Sequence, residues 1–360
     1  MANKRLVLIT LDYPPEHGGV ARYLGDLVEA SQGEMRVIVP EKHLTSGPGD
    51  VKTVSMFHKR WPQWWPMVKA CRVLNAKSEM IFISQVFPVG TAAWISRLCG
   101  GPEYVVLFHG LDLKLANTPW KKFLLNNIVG HARAVFVNSL ATKKLFLETA
   151  SSSKHIPIVL TPGIHQRPLI DKREARKRLD LPFDASIILT VTRFVPRKGI
   201  DVTIRAVADL QKKMPLTYAV IGSGTDRGRL EVIAKETGAK VTWASPANDE
   251  EKWVWYAACD AFVMPARETA DDIEGFGIVY LEAAMAGRPT IAGQSGGAKE
   301  AVVDQVTGLI VDENDEQAVQ QAILKLIEDT DFAKKLGAAG RQRVEKDFQW
   351  QERWEKLRAV

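Results

Sequence analysis

The chain has 360 residues, long for one hydrophobic core, and its 46% hydrophobic and 25% charged content is that of an ordinary two-domain globular protein. No apolar run is long enough to span a bilayer. The net charge of +6 is uneven: residues 1–165 hold 19 Lys and Arg against 11 Asp and Glu (+8), and the rest holds 29 against 31 (−2). A basic first half fits an acidic membrane surface, a phosphorylated acceptor or a nucleic acid. The scatter of its cations, with no RRM, KH or helix-turn-helix signature, argues against nucleic acid.

In chain order, the run Arg5–Leu11 is too short for a signal-peptide core and reads as a buried first strand. Tyr13-Pro14-Pro15-Glu16-His17-Gly18-Gly19-Val20 follows, with a helix expected from near Ala21. There Gly18 and Gly19 let backbone approach a ligand and leave helix N-terminal amides for phosphate. Further strand-like runs are Met35–Val39, Met80–Ser84, Tyr104–Phe108, Ala134–Val137 and Ile158–Thr161. The segment His58-Lys59-Arg60-Trp61-Pro62-Gln63-Trp64-Trp65-Pro66-Met67 is cationic and Trp-rich, which fits an interfacial membrane anchor or packed aromatics equally. Its two prolines argue against a long helix across it. His109-Gly110-Leu111-Asp112 ends the run Tyr104–Phe108, where open parallel sheets place functional residues.

A charged stretch, Asp171–Arg178, lies in the break between Gly163 and Phe183 and is expected to form a surface helix opening a second domain. A second series of runs follows: Ser186–Val191, Leu216–Ile221, Lys240–Trp243, Ala261–Met264, Thr290–Ala292 and Gly308–Val311. Short β-rich runs alternating with helices imply parallel sheets covered on both faces, hence an α/β class with two doubly wound domains. The expected boundaries are 1–165 and 166–340. A closing helix within 341–360, carrying Trp350 and Trp354, is expected to cross back onto the first domain. Two facing sheets would place a ligand in the cleft between them.

Three motifs in the second half carry chemistry. Arg193 and Lys198 both project from the loop Thr192–Asp201 after a strand. Fixed cations there stabilise the charge that develops on a departing diphosphate, work that a divalent metal does elsewhere. Arg197 is an alternative to Lys198, which is preferred because it precedes Gly199. Gly222 and Gly224 in Ile221-Gly222-Ser223-Gly224-Thr225-Asp226 miss the dinucleotide fingerprint, since Gly228 comes one position late, and indicate a tight turn at a pocket mouth. Glu274 and Glu282 bracket Gly275-Phe276-Gly277-Ile278-Val279-Tyr280-Leu281. A Gly-rich turn running into a helix aims free amides at an anion, and Glu282 falls about two helical turns after Glu274, so both carboxylates can face one ligand. Carboxylates suit sugar and ribose hydroxyls, and the amides between them suit a diphosphate. The implied ligand is a sugar nucleotide, with the Gly-rich segment Gln294–Glu300 close behind.

Cys71, Cys99 and Cys259 show no CxxC spacing and cannot all pair, so free thiols in a reducing cytoplasm are expected. The seven histidines form no HExxH-like set. Asp271-Asp272, the nearest approach to a DxD cluster, reads as surface charge. No catalytic metal is expected.

Taken together, Gly18-Gly19, His109-Gly110, Arg193 with Lys198-Gly199, Gly222-x-Gly224, Glu274-x7-Glu282 and the Trp-bearing closing helix resemble the retaining glycosyltransferases of the GT-B fold, family four (glycosyltransferase group 1). The stretch Asp272–Ala283 is most similar to mannosyltransferases acting on phosphoinositol lipids, which use GDP-mannose. The resemblance implies two Rossmann-like domains, an acceptor domain first and a donor domain second. It implies no cofactor beyond a nucleotide-sugar donor, GDP-sugar favoured over UDP-sugar, and a glycan or lipid-linked acceptor at the inner face of the membrane. Glu282 would hold the ribose hydroxyls and Glu274 would face the donor sugar. Amides of Phe276, Gly277 and Ile278, continuing to Val279, would line the diphosphate and sugar together with Gly19. Arg193 and Lys198 would neutralise the leaving phosphate, and His109 would contact the sugar near the reacting carbon. Retention would proceed by front-face substitution. Ala266 stands where Ser is usual, and the charged segment Arg267–Ile273 is long. A non-hydrolysing sugar-nucleotide epimerase of the same fold is the alternative enzyme, and a non-catalytic membrane or nucleic-acid module the alternative outside catalysis.

Overall fold

A computed structural model describes residues 4–16, 18–41, 47–59, 61–150, 153–245, 248–270 and 272–360. His17, Arg60 and Asp271, each part of a motif above, lie outside the described residues. The chain divides into two compact units, Met1–Gly163 with Gln349–Val360, and Ile164–Phe348.

The first unit runs β1 (Arg5–Ile9), α1 (Gly19–Ala30), β2 (Met35–Pro40), β3 (Asp50–Val54), α2 (Trp65–Arg72), β4 (Glu79–Ile83), α3 (Thr91–Leu98), β5 (Tyr104–Phe108), α4 (Leu111–Leu115), α5 (Pro119–His131), β6 (Ala134–Val137), α6 (Leu140–Thr149) and β7 (Ile158–Val159). Its strands form one parallel sheet in the order β3-β2-β1-β4-β5-β6-β7. The order reverses at β1, which makes a switch point for a ligand at the carboxyl edge. Central strands are apolar on both faces: Val7, Leu8, Ile9, Val106, Leu107 and Phe108 are fully buried. Strand β3 has no counterpart among the expected runs. Its sequence Asp-Val-Lys-Thr-Val is half exposed at the sheet edge, and Asp50 pairs with Arg36 at 3.1 Å instead of joining a core.

The second unit runs α7 (Lys172–Arg178), β8 (Ser186–Val191), α8 (Ile200–Gln211), β9 (Leu216–Ile221), α9 (Arg227–Thr237), β10 (Val241–Ala244), α10 (Asp249–Ala258), β11 (Ala261–Met264), α11 (Ile278–Met285), β12 (Thr290–Ala292), α12 (Ala298–Ala301), β13 (Gly308–Ile310), α13 (Glu316–Glu328) and α14 (Thr330–Asp347). The sheet order β10-β9-β8-β11-β12-β13, all parallel, reverses at β8. Helix starts carry side-chain caps. Asp171, Asn248 and Asp315 accept from the amides of Glu174, Glu251 and Gln317, each cap contributing about 1 kcal/mol. Helix α7 is less of a surface element than its charge implies, because Arg176 is buried and bonds Asp260 at 2.7 Å.

The last helix, α15 (Trp350–Arg358), returns to the first unit. Trp350, Trp354 and Leu357 are buried, and the Trp350 ring meets Tyr23 edge-on at 5.1 Å. Gly163 lies so close that an added Cβ would come 2.6 Å from the Trp350 ring, so only glycine fits there.

Candidate active site

At the carboxyl edge of the second sheet the loops press on one another through backbone, and glycine makes each contact possible. A Cβ at Gly222 would sit 2.0 Å from the Thr192 carbonyl oxygen, and one at Gly224 would sit 2.3 Å from that of Phe194. Both have positive φ, 141° and 157°. Their place in the structure is therefore to seat the Arg193 loop. Gly199 (φ 69°) meets the Pro265 carbonyl, and Gly296 (φ 54°) meets that of Glu274. Ala266 is fully buried in the same layer, its amide bonded to the Met264 carbonyl at 2.8 Å.

This scaffold brings Arg197, Lys198, Asp272 and Glu274 into one ionic cluster. Lys198 Nζ donates to Glu274 Oε2 at 2.5 Å and Arg197 Nη1 donates to the same oxygen at 2.7 Å. Arg197 Nε reaches Asp272 Oδ2 at 2.5 Å. The two cations and Glu274 are all buried. Burial alone would raise the Glu274 carboxyl, but Lys198 and Arg197 outweigh it and hold the pKa at about 2. Burial pushes the Lys198 ammonium down, with Arg197 and Arg193 adding to the fall and Glu274 opposing it. Arg193 itself is exposed. Two sequence expectations change here. Arg197 joins Lys198 on Glu274 instead of replacing it, and Asp272 is an ion-pair partner where surface charge was expected.

Helix α11 begins only at Ile278, because Gly277 adopts the left-handed conformation (φ 86°). Glu282 is thus one turn into the helix and not two helical turns beyond Glu274. Among the described residues the amides of Phe276, Gly277, Ile278 and Val279 donate to no protein acceptor, so they remain available to an anion. Glu282 is buried with both oxygens engaged, Oε1 by Lys252 Nζ at 2.6 Å and Oε2 by Tyr256 Oη at 2.8 Å. Burial, with Glu282 next, raises the Tyr256 pKa far above its ordinary value. Lys252 also bonds Asp249 at 2.9 Å. Sequence reading missed Lys252 and Tyr256. Their spacing of four on α10 puts both on one helix face and was the available signal.

The remaining expected residues belong to the first unit. Gly18 and Gly19 open α1, and among the described residues a Cβ on either would meet nothing within 4 Å. His109 is buried against Tyr23, ring centroids 5.3 Å apart, and its Nε2 has no partner among the described residues. Burial lowers its pKa to about 4, so the imidazole is neutral at ordinary pH. Asp112 accepts from the Val86 amide at 3.3 Å, and burial raises its pKa to about 6. In the Trp-rich segment, Trp64 packs against the core while Trp61 (91% exposed) and Trp65 (51%) face solvent. Pro66 falls in the first turn of α2, where it is tolerated. Trp120 (62%) and Phe123 (68%) are exposed on α5, beside Lys121 and Lys122.

Comparison with known proteins bears on the family and the fold. Residues 171–343 match the family Glycosyl transferases group 1. The chain is 30% identical to the GDP-mannose-dependent alpha-(1-6)-phosphatidylinositol monomannoside mannosyltransferase of Mycolicibacterium smegmatis, over 98% of this chain and 97% of the relative. It is 28% identical to the GDP-mannose-dependent monoacylated alpha-(1-6)-phosphatidylinositol monomannoside mannosyltransferase of Corynebacterium glutamicum, over 99% and 97%. Sucrose-phosphate synthase from Thermosynechococcus elongatus superposes with a TM-score of 0.83 at 23% identity, covering 98% and 97% of the two chains, a likeness of fold. Two Rossmann-like parallel sheets with these full-length likenesses define a glycosyltransferase of the GT-B fold. The chain belongs to the group 1 glycosyl transferase family.

Proposed function

We propose that this glycosyltransferase moves a mannosyl residue from GDP-mannose, with retention and without a metal, to a hydroxyl of a lipid-linked or glycan acceptor. The observation that carries the reading is the pair Arg197 and Lys198 on Glu274, with exposed Arg193 adding its charge at Lys198, beside four free amides at the start of α11. Arg193, Arg197 and Lys198 against Glu274 and Asp272 sum to one formal positive charge, which suits a diphosphate. The two relatives' shared GDP-mannose dependence supports the donor, and their phosphatidylinositol mannoside acceptors support a lipid-linked one.

In this reading the diphosphate lies on the amides of Phe276 to Val279, and Arg193 and Lys198 take up its charge as the anomeric C–O bond breaks. The acceptor oxygen bonds to the same face of that carbon, and its proton passes to the departing phosphate oxygen. Glu274 faces the sugar, Glu282 holds the ribose by sharing or displacing Lys252, and neutral His109 of the first domain contacts the sugar. Gly18, Gly19, Gly222 and Gly224 shape the donor site. Residues 1–165 serve the acceptor and 166–340 the donor. The exposed Trp61, Trp65, Trp120 and Phe123, within a first half of charge +8 (19 cations against 11 anions), suit an anionic membrane face where a lipid acceptor would be met. Among the described residues no helix is long and apolar enough to cross a membrane.

The test is turnover of GDP-mannose with a phosphatidylinositol mannoside acceptor in EDTA, against UDP- and ADP-sugars. Lys198→Ala is expected to lower kcat roughly 100-fold or more. Epimer formation from sugar nucleotide alone, or activity lost to EDTA and restored by Mg²⁺, overturns the proposal.

A further inference from the structure

Arg197 lies between the two cations assigned to the diphosphate, yet is tied to carboxylates on both sides. We propose that Arg197 is a positioning residue: it keeps Glu274 paired and in place, which releases Lys198 to exchange from Glu274 to the donor diphosphate. The inference rests on the donor reading above.

Three observations support it. First, Arg197 and Lys198 converge on the same oxygen of Glu274, so that oxygen holds one partner more than a single ion pair needs. Second, the two cations are bound unequally. Arg197 is bracketed by Glu274 and Asp272, whereas Lys198 has Glu274 alone as its ion-pair partner among the described residues. Third, the backbone carrying Arg197 is fixed. Its carbonyl accepts from the Arg267 amide at 2.8 Å, the Pro196 carbonyl accepts from Arg267 Nε at 3.1 Å, and Arg267 is anchored in turn on Asp201. Asp272 is fixed as well, by the Thr269 hydroxyl on its amide at 3.1 Å and by its own Oδ1 accepting from the Ile273 amide at 2.9 Å.

A buried carboxylate whose sole cation departs is left uncompensated and takes up a proton instead. With Arg197 bracketed, Lys198 can leave and Glu274 keeps its charge and its place beside the sugar. A guanidinium suits this work because its planar fork reaches two carboxylates at once, which an ammonium on a single stem does not. The charged and titratable groups facing Glu274 are Arg197 and Lys198 from the turn after β8 and Tyr280 of α11; Asp272 acts on it through Arg197, and Arg193 through Lys198.

The experiment compares wild type with Arg197→Met, Arg197→Lys and Asp272→Asn, measuring kcat and donor KM from pH 5 to 8 alongside GDP binding by calorimetry. In Arg197→Met, Lys198 is left as the sole partner of Glu274. The expected result is kcat lowered roughly 10- to 100-fold, in the range of a lost positioning or acid–base group. An acid limb absent from the wild-type pH profile is also expected, as is proton uptake on GDP binding. Arg197→Lys should recover part of kcat, and Asp272→Asn should show the same changes more weakly. If Arg197→Met does not fold, the other two variants carry the test, and wild-type profiles in both overturn the proposal. Wild-type kcat and pH dependence in a folded Arg197→Met sink the role of Arg197 while leaving the donor reading intact. Failure of wild type to bind GDP or any nucleotide sugar removes the donor reading, and this exchange with it.

Discussion

The carboxyl edges of the two sheets are built in opposite ways. In the second domain the edge is closed on itself: loops meet backbone to backbone at Gly199, Gly222, Gly224 and Gly296, and the buried charges satisfy one another. In the first domain it is open. Among the described residues nothing lies within 4 Å of a Cβ on Gly18 or Gly19 and a buried nitrogen of His109 has no partner, while large aromatics face outward on α2 and α5. Glycine thus has two uses in one chain. It permits close packing in the second domain and keeps a surface bare in the first. A polar site assembled in advance needs little rearrangement when charge develops, whereas an open one can be shaped by what it binds.

Substitution of the glycines should break that comparison most sharply. Gly222→Ala places a methyl group against the Thr192 carbonyl at positive φ and is expected to cost about 3 kcal/mol, lowering the melting temperature by roughly 6–12 °C. Gly19→Ala should change stability by under about 0.5 kcal/mol while raising the donor KM. Equal melting points for the two variants would erase the distinction.

Acid should separate the domains next. His109 has a folded pKa of about 4, below its ordinary value, so its contribution is complete above about pH 6.5 and lost as pH falls through 4. Glu274, held at about 2, contributes fully above its ordinary value of 4.5 and loses that only as pH falls toward 2. Buried Asp112, raised to about 6, gains stability as pH falls over the same window and offsets part of the His109 loss, so the expected outcome is a difference: between pH 6.5 and 4 wild type loses more stability to urea than His109→Gln does, and Glu274→Gln follows wild type. The smallest effect concerns the aromatics. Replacing Trp61 and Trp65, or Trp120 and Phe123, by Ser should weaken sedimentation with anionic vesicles several-fold, and unchanged sedimentation would detach these side chains from any membrane role.

The architecture was legible because buried parallel strands are nearly continuous apolar runs, as in Tyr104–Phe108 and Ser186–Val191. Strand β3 was not, since an edge strand with Asp50 and Lys52 has no apolar signature. At the candidate site, Lys198 and Glu274 stood out as charges next to glycine, Arg193 as a cation just past a strand, and Glu282 by its spacing from Glu274. Arg197 and Asp272 were undervalued because spacing along the chain does not reveal which loop cations turn inward. Their pairing joins residues 75 positions apart. Lys252 and Tyr256 are likewise meaningful only once α10 is seen against α11.

The return of residues 349–360 makes the second domain an insertion within the first. As the chain leaves the ribosome, β1 to β7 are complete long before Trp350 and Trp354 exist to cover Tyr23 and the α1 face. The first domain therefore waits, with that surface bare, for the whole second domain to be synthesised, and loss of residues 349–360 would damage a domain whose sheet was made long before them.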